Sequence, residues 1–332
     1  MNTNISLATD YAGLKLRNPF IVSSSGMSDT VEKVCLLEQE GAGAVVLKSL
    51  FEEQIEHFVE NELKSGLEYP EAYDYVRTYV RDNQIYQFLS LLRECKKSVS
   101  IPIIASINCF AKSTWITFGK EIEKAGADAI EVNIMIVDTS KDYKYGKTER
   151  LYVDILCELK KIVKIPIIIK LSRQLTSPVA LLSQLKLNGA DAAVLFNRPY
   201  TPDVDIKTLK ITSASVLSSP ANLHESLRWI GISSGRVPLL NLSLSGGVFK
   251  AEDAIKAILV GASAVSLCSV LYKEGAGTIG KMMERLTEWM DVHGFDSIES
   301  FRGILNSKRI PDESIYERTQ FMRHYSNKKY NL

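Results

Sequence analysis

Short runs of apolar residues recur along the chain, and four of them follow one repeated turn. The copies are GAGAVVLKS from Gly41, GADAIEVN from Gly126, GADAAVLFN from Gly189 and GASAVSLCS from Gly261. In each copy the first glycine can end a helix in the left-handed conformation. The β-branched residues that follow suit a strand that is covered on both faces. The repeat therefore predicts four buried strands, each preceded by a helix.

A second set of apolar runs alternates with the first and opens on proline. These runs are SIPIIASIN, KIPIIIKLS and RVPLLNLSLSGG, and PFIVSSSG from Pro19 completes the set. Proline is tolerated at the first position of a strand, and the runs are long enough for strands but too short for helices. Together the two sets predict strands near 19–23, 44–48, 103–107, 129–133, 166–170, 192–196, 239–243 and 264–267.

Helical segments separate the predicted strands. DTVEKVCLLEQEG and TFGKEIEKAG carry apolar residues at three- and four-residue spacing, which is typical of helices that pack on a sheet. Alternating strands and helices build a parallel sheet, and eight such units predict an α/β fold, the (β/α)8 TIM barrel. Such barrels often exceed about 250 residues as one unit, so we expect residues 1–332 to form a single domain.

Two segments are longer than ordinary connections. Residues 49–82, after the second strand, are polar, aromatic and helix-prone, and residues 198–225, after the sixth, are rich in Pro, Ser and Thr. Functional loops of these barrels follow the strands, so both inserts are predicted to build the rim of the active site or a lid. The segment TEWMDVHGFDSIESFRGIL predicts a C-terminal helical extension: a helix, a turn and a second helix that packs on the barrel.

The charge balance favours a small-molecule partner. The 332 residues include 40 basic and 39 acidic ones, a net charge of +1, so no long-range field attracts nucleic acid or a membrane surface. No run approaches the roughly 18 apolar residues of a membrane span, and the N-terminus lacks the features of a signal peptide. We therefore expect a cytoplasmic protein. The five cysteines show no CxxC spacing, so neither disulfides nor a metal site is expected.

Polar residues stand directly after seven of the eight predicted strands. Chemistry in a TIM barrel gathers at these strand ends. Lysines and asparagines that follow apolar runs directly are poorly explained by packing. The strand-end residues are Ser24, Ser25, Gly26, Lys48, Ser49, Asn108, Asn133, Lys170, Asn197, Ser245, Gly246, Gly247, Cys268 and Ser269.

The residue types at these ends suit a flavin nucleotide. An ammonium group at Lys170 can stabilise the negative charge that a flavin gains when it accepts a hydride. Gly246 and Gly247 precede a helix start, so their bare amides and the helix dipole can face a phosphate. Asn133 and Asn197 can each donate and accept, which suits a flavin or a pyrimidine-like ring.

Several segments together carry a family resemblance over nearly the whole chain. They are LKLRNPFIVSSSG, VLKS, EVN, IKLS, FN, SGGVFKAEDAIKAILVGAS and SVLYKEG. In these segments the chain resembles the dihydroorotate dehydrogenase family, nearest to its soluble class 1 members and to the dihydroorotate dehydrogenase-like group. The resemblance implies FMN at the barrel mouth, oxidation of dihydroorotate to orotate in pyrimidine biosynthesis, and a homodimer.

The resemblance also implies residue roles. The flavin would lie along Ser24, Ser25 and Gly26, with its ring system in contact with Lys48, Ser49, Asn133 and Lys170. Asn108, Asn197 and Ser245 complete the expected cofactor-binding set. The phosphate would be held by Gly246, Gly247, Cys268 and Ser269. The substrate would be faced by Lys48, Asn133 and Asn197.

Two departures from the family put the substrate and the catalytic base in question. Class 1 members carry a cysteine base in an NLSCPN-like motif, where this chain reads NIMIVD and places Ile136, which cannot accept a proton. The negative charge of Asp138 would repel an orotate carboxylate. The family's NSMGLPN-like substrate segment has no clear counterpart in the insert after Ser49. The catalytic candidates are Lys48 and the loop residues Asp138, if burial raises its pKa, Thr139, Ser140 and Tyr143.

Two other functions remain open from the residues. A Schiff-base aldolase would use Lys170 as nucleophile and the glycine pair to bind a sugar phosphate. A flavin-binding protein without catalysis would explain Ile136. Cys109 follows the third strand, but its position is not that of the family's cysteine base.

Overall fold

Eight parallel strands close into a barrel in the computed structural model, which describes residues 5–51, 70–108 and 112–317. In chain order the strands are β1 (Thr9–Tyr11), β2 (Leu14–Leu16), β3 (Phe20–Val22), β4 (Ala44–Val46), β5 (Leu50–Phe51), β6 (Ile103–Asn108), β7 (Ala129–Asn133), β8 (Ile167–Leu171), β9 (Ala192–Leu195), β10 (Pro202–Asp205), β11 (Lys210–Ser213), β12 (Asn241–Ser245) and β13 (Ala264–Leu267). Around the barrel the order is β3, β4, β6, β7, β8, β9, β12, β13 and back to β3.

Helices pack around this barrel. They are α1 (Val31–Gln39), α2 (Pro70–Ser98), α3 (Lys112–Lys124), α4 (Lys147–Ile162), α5 (Pro178–Leu187), α6 (Leu223–Arg236), α7 (Ala251–Leu259), α8 (Ser269–Glu274), α9 (Thr278–His293) and α10 (Ile298–Phe301). The predicted (β/α)8 barrel is confirmed, with each strand within two residues of its predicted start. The seventh begins at Asn241 instead of 239, because Leu239 has a left-handed φ of 68° that a strand does not accommodate.

A β-hairpin that the sequence analysis did not predict closes the N-terminal end of the barrel. Strands β1 and β2 pair antiparallel, and Tyr11 and Leu16 bury their side chains among the small residues of the barrel interior. The hairpin is tied to neighbouring strands by a bond from the Ala12 N–H to Asn241 Oδ1 and one from Thr9 Oγ1 to the Ser263 carbonyl. The open end of the barrel is therefore the C-terminal end.

Aspartates in the repeated turn accept hydrogen bonds from backbone N–H groups at the N-terminal rim of the barrel. Asp128 Oδ2 accepts from the Ile103 N–H at 2.7 Å and from Lys96 Nζ at 2.6 Å. Asp191 Oδ2 repeats this arrangement with the first N–H of β8 at 2.8 Å and Lys160 Nζ at 2.6 Å. Each carboxylate thus links a turn to the neighbouring strand and helix.

Replacing Asp191 by alanine is expected to lower the free energy of unfolding by about 1–3 kcal/mol, because the first N–H of β8 and Lys160 lose a charged acceptor. The measurement is the urea unfolding midpoint. Asp10→Ala is the matched control, because it removes a carboxylate from an exposed ion pair with Lys15, and such pairs contribute about 1 kcal/mol or less. Equal losses in both variants would contradict the assigned role of the turn.

The two inserts differ in the structure. The first insert begins with β5, which pairs with β6. Residues 52–69 lie outside the described ranges, and the rest of the insert forms the start of α2, as its helix-prone sequence indicated. The second forms the antiparallel hairpin β10–β11, whose strands were not predicted. None of the helices in the described part of the chain combines the length and apolar character that crossing a membrane requires.

The predicted C-terminal extension is present. Gly294, with a φ of 72°, ends α9 in the left-handed conformation, and a short turn leads into α10. Ile298 and Phe301 of α10 are fully buried against the barrel's outer core. The second helix is only one turn long.

Candidate active site

A cavity of about 880 Å³ opens at the C-terminal ends of the barrel strands. This volume lies within the range of roughly 300–1,000 Å³ that small-molecule sites occupy. Both strand-end lysines line it. The predicted site residues in its wall are Ser24, Ser25, Gly26, Lys48, Lys170, Asn197, Ser245, Gly246, Gly247, Cys268 and Ser269.

The three other predicted cofactor residues adjoin this wall. The Oγ of Ser49 lies 2.9 Å from Ser24 Oγ, and Asn197 Nδ2 donates to Asn133 Oδ1 at 2.9 Å. Asn108 stands opposite Asn133 in the register of β6 and β7. Its buried side-chain carbonyl has no hydrogen-bond partner among the described residues, so it is available to a donor on a ligand.

Lys170 is held in place by a buried carboxylate. Its residue exposure is 7%, that of Glu131 is 3%, and Nζ lies 3.4 Å from Glu131 Oε1. Burial of the Tyr11 hydroxyl, and next the charge of Glu131, raise the pKa of Tyr11 well above its usual value. Glu131 was missed by the sequence analysis, although an acidic residue inside the apolar run AIEVN is a visible signal. The pair places an ammonium group at the floor of the cavity.

Lys48 is more exposed than Lys170. Its Nζ lies 4.0 Å from Asp29 Oδ2, and Asp29 makes a closer pair with Lys33 at 2.6 Å. Because Asp29 is shared between two cations, it compensates the charge of Lys48 only in part. Lys48 therefore presents a second positive charge to the cavity.

The glycine pair after β12 adopts a conformation that favours glycine. The φ angles are 91° at Gly246 and 80° at Gly247, and a Cβ at Gly247 would overlap the backbone nitrogen of Leu223. The Gly247 N–H donates to Ser218 Oγ at 3.3 Å, and the Ser218 hydroxyl donates to Ser269 Oγ at 2.9 Å. Ser218, from the insert after the sixth strand, is thus a residue of this part of the site that the sequence did not single out.

Cys268 lines the cavity directly after β13, the strand that pairs with β12, and the glycine pair follows β12. Burial raises the pKa of its thiol above its ordinary value, while a hydrogen bond with Ser25 and the charge of Lys170 partly oppose that shift. The thiol is therefore neutral at physiological pH, and it offers a weak donor to a ligand, not a nucleophilic thiolate.

The loop after β7 carries the predicted catalytic candidates Asp138, Thr139 and Ser140, and none of the three lines the cavity. Asp138 Oδ2 pairs with Lys147 at 2.8 Å. Hydrogen bonds from the Lys147 ammonium and then from the Ser140 N–H lower the pKa of Asp138. The condition under which Asp138 was a candidate base, a pKa raised by burial, is therefore not met. The Tyr143 hydroxyl donates to Thr148 Oγ1 at 3.2 Å.

Other residues of the cavity wall were not anticipated. Arg198 follows Asn197 directly, and its guanidinium donates to the carbonyl oxygens of Ser215 at 2.8 Å and Val216 at 3.0 Å. Phe196, Tyr200 and Tyr272 also line the wall. Cys109 and the first five residues of the segment SGLEYPEAYDY lie outside the described residues. Within those residues no cluster of His, Cys, Asp and Glu is arranged to hold a metal ion.

A comparison with protein-family models gives one match. The model described as Dihydroorotate dehydrogenase matches residues 74–290. The matched range runs from α2 into α9 and includes the strand ends that carry Asn133, Lys170, Asn197 and the glycine pair.

Similar proteins extend over most of the chain. The dihydroorotate dehydrogenase B (NAD(+)), catalytic subunit, of Thermoplasma volcanium is 27% identical over 310 residues, which cover 90% of this chain and 98% of that protein. The protein of the same name from Caldicellulosiruptor bescii is 26% identical over 317 residues, covering 91% and 100%. The NAD-dependent dihydropyrimidine dehydrogenase subunit PreA of Escherichia coli is 23% identical over 330 residues, covering 93% and 79%.

Proposed function

Because the chain belongs to the dihydroorotate dehydrogenase family, we propose that it is an FMN-dependent oxidoreductase that oxidises dihydroorotate, or a related small substrate, in pyrimidine metabolism. One observation carries the proposal. Lys48, Lys170 and the glycine pair, which come from separate segments of the sequence pattern, line one cavity at the functional end of the barrel.

The residues present fit FMN. Gly246 and Gly247 bring no side chain to the turn that lines the cavity, and the Ser218 and Ser269 hydroxyls lie beside them, so backbone and hydroxyl donors that suit a phosphate meet here. Lys170 lines the cavity and offers an ammonium group to the polar edge of a flavin ring. Asn108, opposite Asn133 in the register, adjoins that wall and offers a side-chain carbonyl that has no partner among the described residues.

FMN, when bound, supplies a two-electron acceptor that takes a hydride from a substrate C–H bond. Lys170 would hold a fixed positive charge beside a bound flavin, where it would favour the uptake of negative charge. Lys48, Asn133 and Asn197 hold the substrate. The adjacent C–H bond loses its proton to a base on the protein, its electron pair forms the C=C bond, and the loss of one hydride and one proton balances the oxidation.

We propose that Thr139 or Ser140 of the loop after β7 accepts this proton, in a conformation of the loop that brings the hydroxyl to the cavity, which neither residue lines in this structure. Asp138 on the same loop is ionised and paired with Lys147, so its charge is neutralised locally and is not directed at the substrate. Ile136 leaves the family's cysteine position without a titratable group.

Anaerobic bleaching of the purified protein tests the proposed function. We expect a yellow protein whose visible flavin absorbance disappears when dihydroorotate is added. Dithionite is the control, because it reduces bound flavin without using the substrate subsite. A protein that stays colourless after incubation with FMN would overturn the flavin assignment. Bleaching by dithionite alone would keep the flavin but exclude dihydroorotate as the donor.

Two measurements distinguish the proposed function from the two other functions. A Schiff-base aldolase needs Lys170 Nζ as nucleophile, and in this structure that nitrogen lies 3.4 Å from Glu131 Oε1 in a buried ion pair. Borohydride trapping of a substrate on Lys170 would favour the aldolase. A non-catalytic flavin protein would be bleached by dithionite and by none of the organic donors tested.

We also propose a homodimer, as the family resemblance implies. The hairpin β10–β11 supports it, because apolar side chains on and around it are largely exposed: Tyr200, Val204, Ile206, Leu209 and Ile211. Val204 and Ile211 stand directly opposite each other and share one face of the hairpin. Exposed apolar patches of this kind mark protein–protein surfaces.

Ile211→Lys is expected to convert the dimer into a monomer, because it introduces a charge into the apolar face of the hairpin. Light scattering coupled to gel filtration measures the mass. Thr212→Lys is the matched control, because the neighbouring residue points to the opposite face and receives the same charge. A monomeric wild-type protein, or equal dissociation in both variants, would contradict the proposal.

A further inference from the structure

We infer that Arg198 is the anion-binding residue of the substrate subsite and selects substrates that carry a carboxylate. The inference rests on the proposed function and deepens it. It assigns a role to a cation that follows the sixth strand and lines the same cavity as Lys48 and Lys170. No part of the sequence pattern had marked this residue.

The charges around the cavity single out Arg198. The described residues that line the cavity include three cationic side chains and no carboxylate. Lys170 is paired with Glu131 at 3.4 Å, and Lys48 lies 4.0 Å from Asp29. Within the described ranges Arg198 has no ion-pair partner. Its charge is therefore the one that a ligand is best able to neutralise.

The hydrogen bonds of Arg198 orient it without neutralising it. Two of its five N–H donors are taken by the carbonyl oxygens of Ser215 and Val216. Backbone carbonyls hold the plane of the guanidinium but leave its full positive charge. The other donors remain for a ligand, and a guanidinium matches a planar carboxylate with two parallel hydrogen bonds. This is a preorganised site for a carboxylate.

The surroundings of Arg198 favour the substrate over the cofactor phosphate. Its neighbour Asn197 is bonded to Asn133, and both asparagines are the proposed ring-binding residues. The proposed phosphate contacts lie at Gly247, Ser218 and Ser269 instead. Dihydroorotate carries a carboxylate that an unsubstituted dihydropyrimidine lacks, so Arg198 distinguishes between the two kinds of substrate in the names of the relatives.

Calorimetric titration of the oxidised, FMN-loaded protein tests this assignment with matched ligands. Orotate and uracil share the pyrimidine ring and differ by the carboxylate; succinate and succinamide form a second pair. We expect the wild-type protein to bind the carboxylate member of at least one pair about 10-fold more tightly or better, the scale of a charged hydrogen bond. Arg198→Gln should remove most of that preference, and Arg198→Lys should retain part of it.

Three controls separate the alternatives. Arg285→Gln removes an exposed positive charge of α9 outside the cavity and should leave the preference unchanged. The flavin content of each variant is measured in parallel: lower FMN content in Arg198→Gln with an unchanged ligand preference would assign Arg198 to the cofactor phosphate and overturn the inference. Equal weakening of both members of a pair would show a structural role only and also overturn it.

Calorimetry distinguishes a failure of this inference from a failure of the proposed function. Calorimetry needs no turnover, so a preference for the carboxylate that depends on Arg198 would support the inference even if dihydroorotate never bleached the flavin. If the wild-type protein prefers neither orotate over uracil nor succinate over succinamide, the inference is wrong, whatever the flavin does.

Discussion

Replacing Lys170 by methionine is expected to lower the free energy of unfolding by about 3–5 kcal/mol, the loss typical of breaking a buried ion pair. Glu131, which is 3% exposed, would remain as an uncompensated carboxylate inside the barrel. Methionine keeps most of the side chain's length and volume, so the loss reflects charge and not a cavity. Urea unfolding followed by circular dichroism measures the change.

A double substitution separates the ion pair from a packing effect. Combining Lys170→Met with Glu131→Gln removes both charges, and we expect it to recover most of the lost stability, because the penalty comes from the unpaired carboxylate. Lys161→Met breaks an exposed pair with Glu158 and should leave the urea unfolding midpoint nearly unchanged. If Lys170→Met is no more destabilising than Lys161→Met, the two groups do not form a buried pair.

The sequence was informative about the barrel because its strands are buried on both faces. A strand such as AIEVN or IIIKL is covered on both faces, so nearly all of its residues are apolar. Its limits can therefore be read from the flanking glycine or proline. The hairpin β10–β11 gave no such signal, because PDVD and KITS are almost entirely exposed and mix polar with apolar residues. The strands β1 and β2 alternate correctly, but three residues are too few to recognise.

The same physical reason explains which site residues could be predicted. Lys48 and Lys170 stand at strand ends, and the topology of a parallel barrel brings all strand ends to one opening. Ser218 could not be anticipated, because its position depends on how the insert folds back to Ser269. Glu131 was not predicted because it lies within a strand and not at its end. The alternation of side chains along the strand directs it into the barrel beneath Lys170.

Gly247→Ala is expected to impair both folding and cofactor binding. A methyl group at this position would overlap the backbone nitrogen of Leu223 at the start of α6, and the φ of 80° is unfavourable for any residue with a Cβ. Strain of about 1–3 kcal/mol from the backbone and a similar amount from overpacking give a loss of about 2–6 kcal/mol. The helix or the turn must shift, and either shift moves the Gly247 N–H away from Ser218. The flavin-to-protein absorbance ratio and the unfolding midpoint measure both consequences.

Gly246→Ala is the matched control, one residue away and in the same conformation. Its φ is 91°, but the atom nearest to the added methyl group would be Arg173 Nη2 at 3.5 Å, an ordinary contact. Gly246→Ala should therefore carry only the backbone penalty of about 1–3 kcal/mol and keep most of its flavin. The difference in stability and in flavin content between the two variants therefore measures the effect of the close approach of the turn to α6. If Gly247→Ala retains flavin as well as Gly246→Ala does, the phosphate does not bind at this turn, and the cofactor must be placed elsewhere in the cavity.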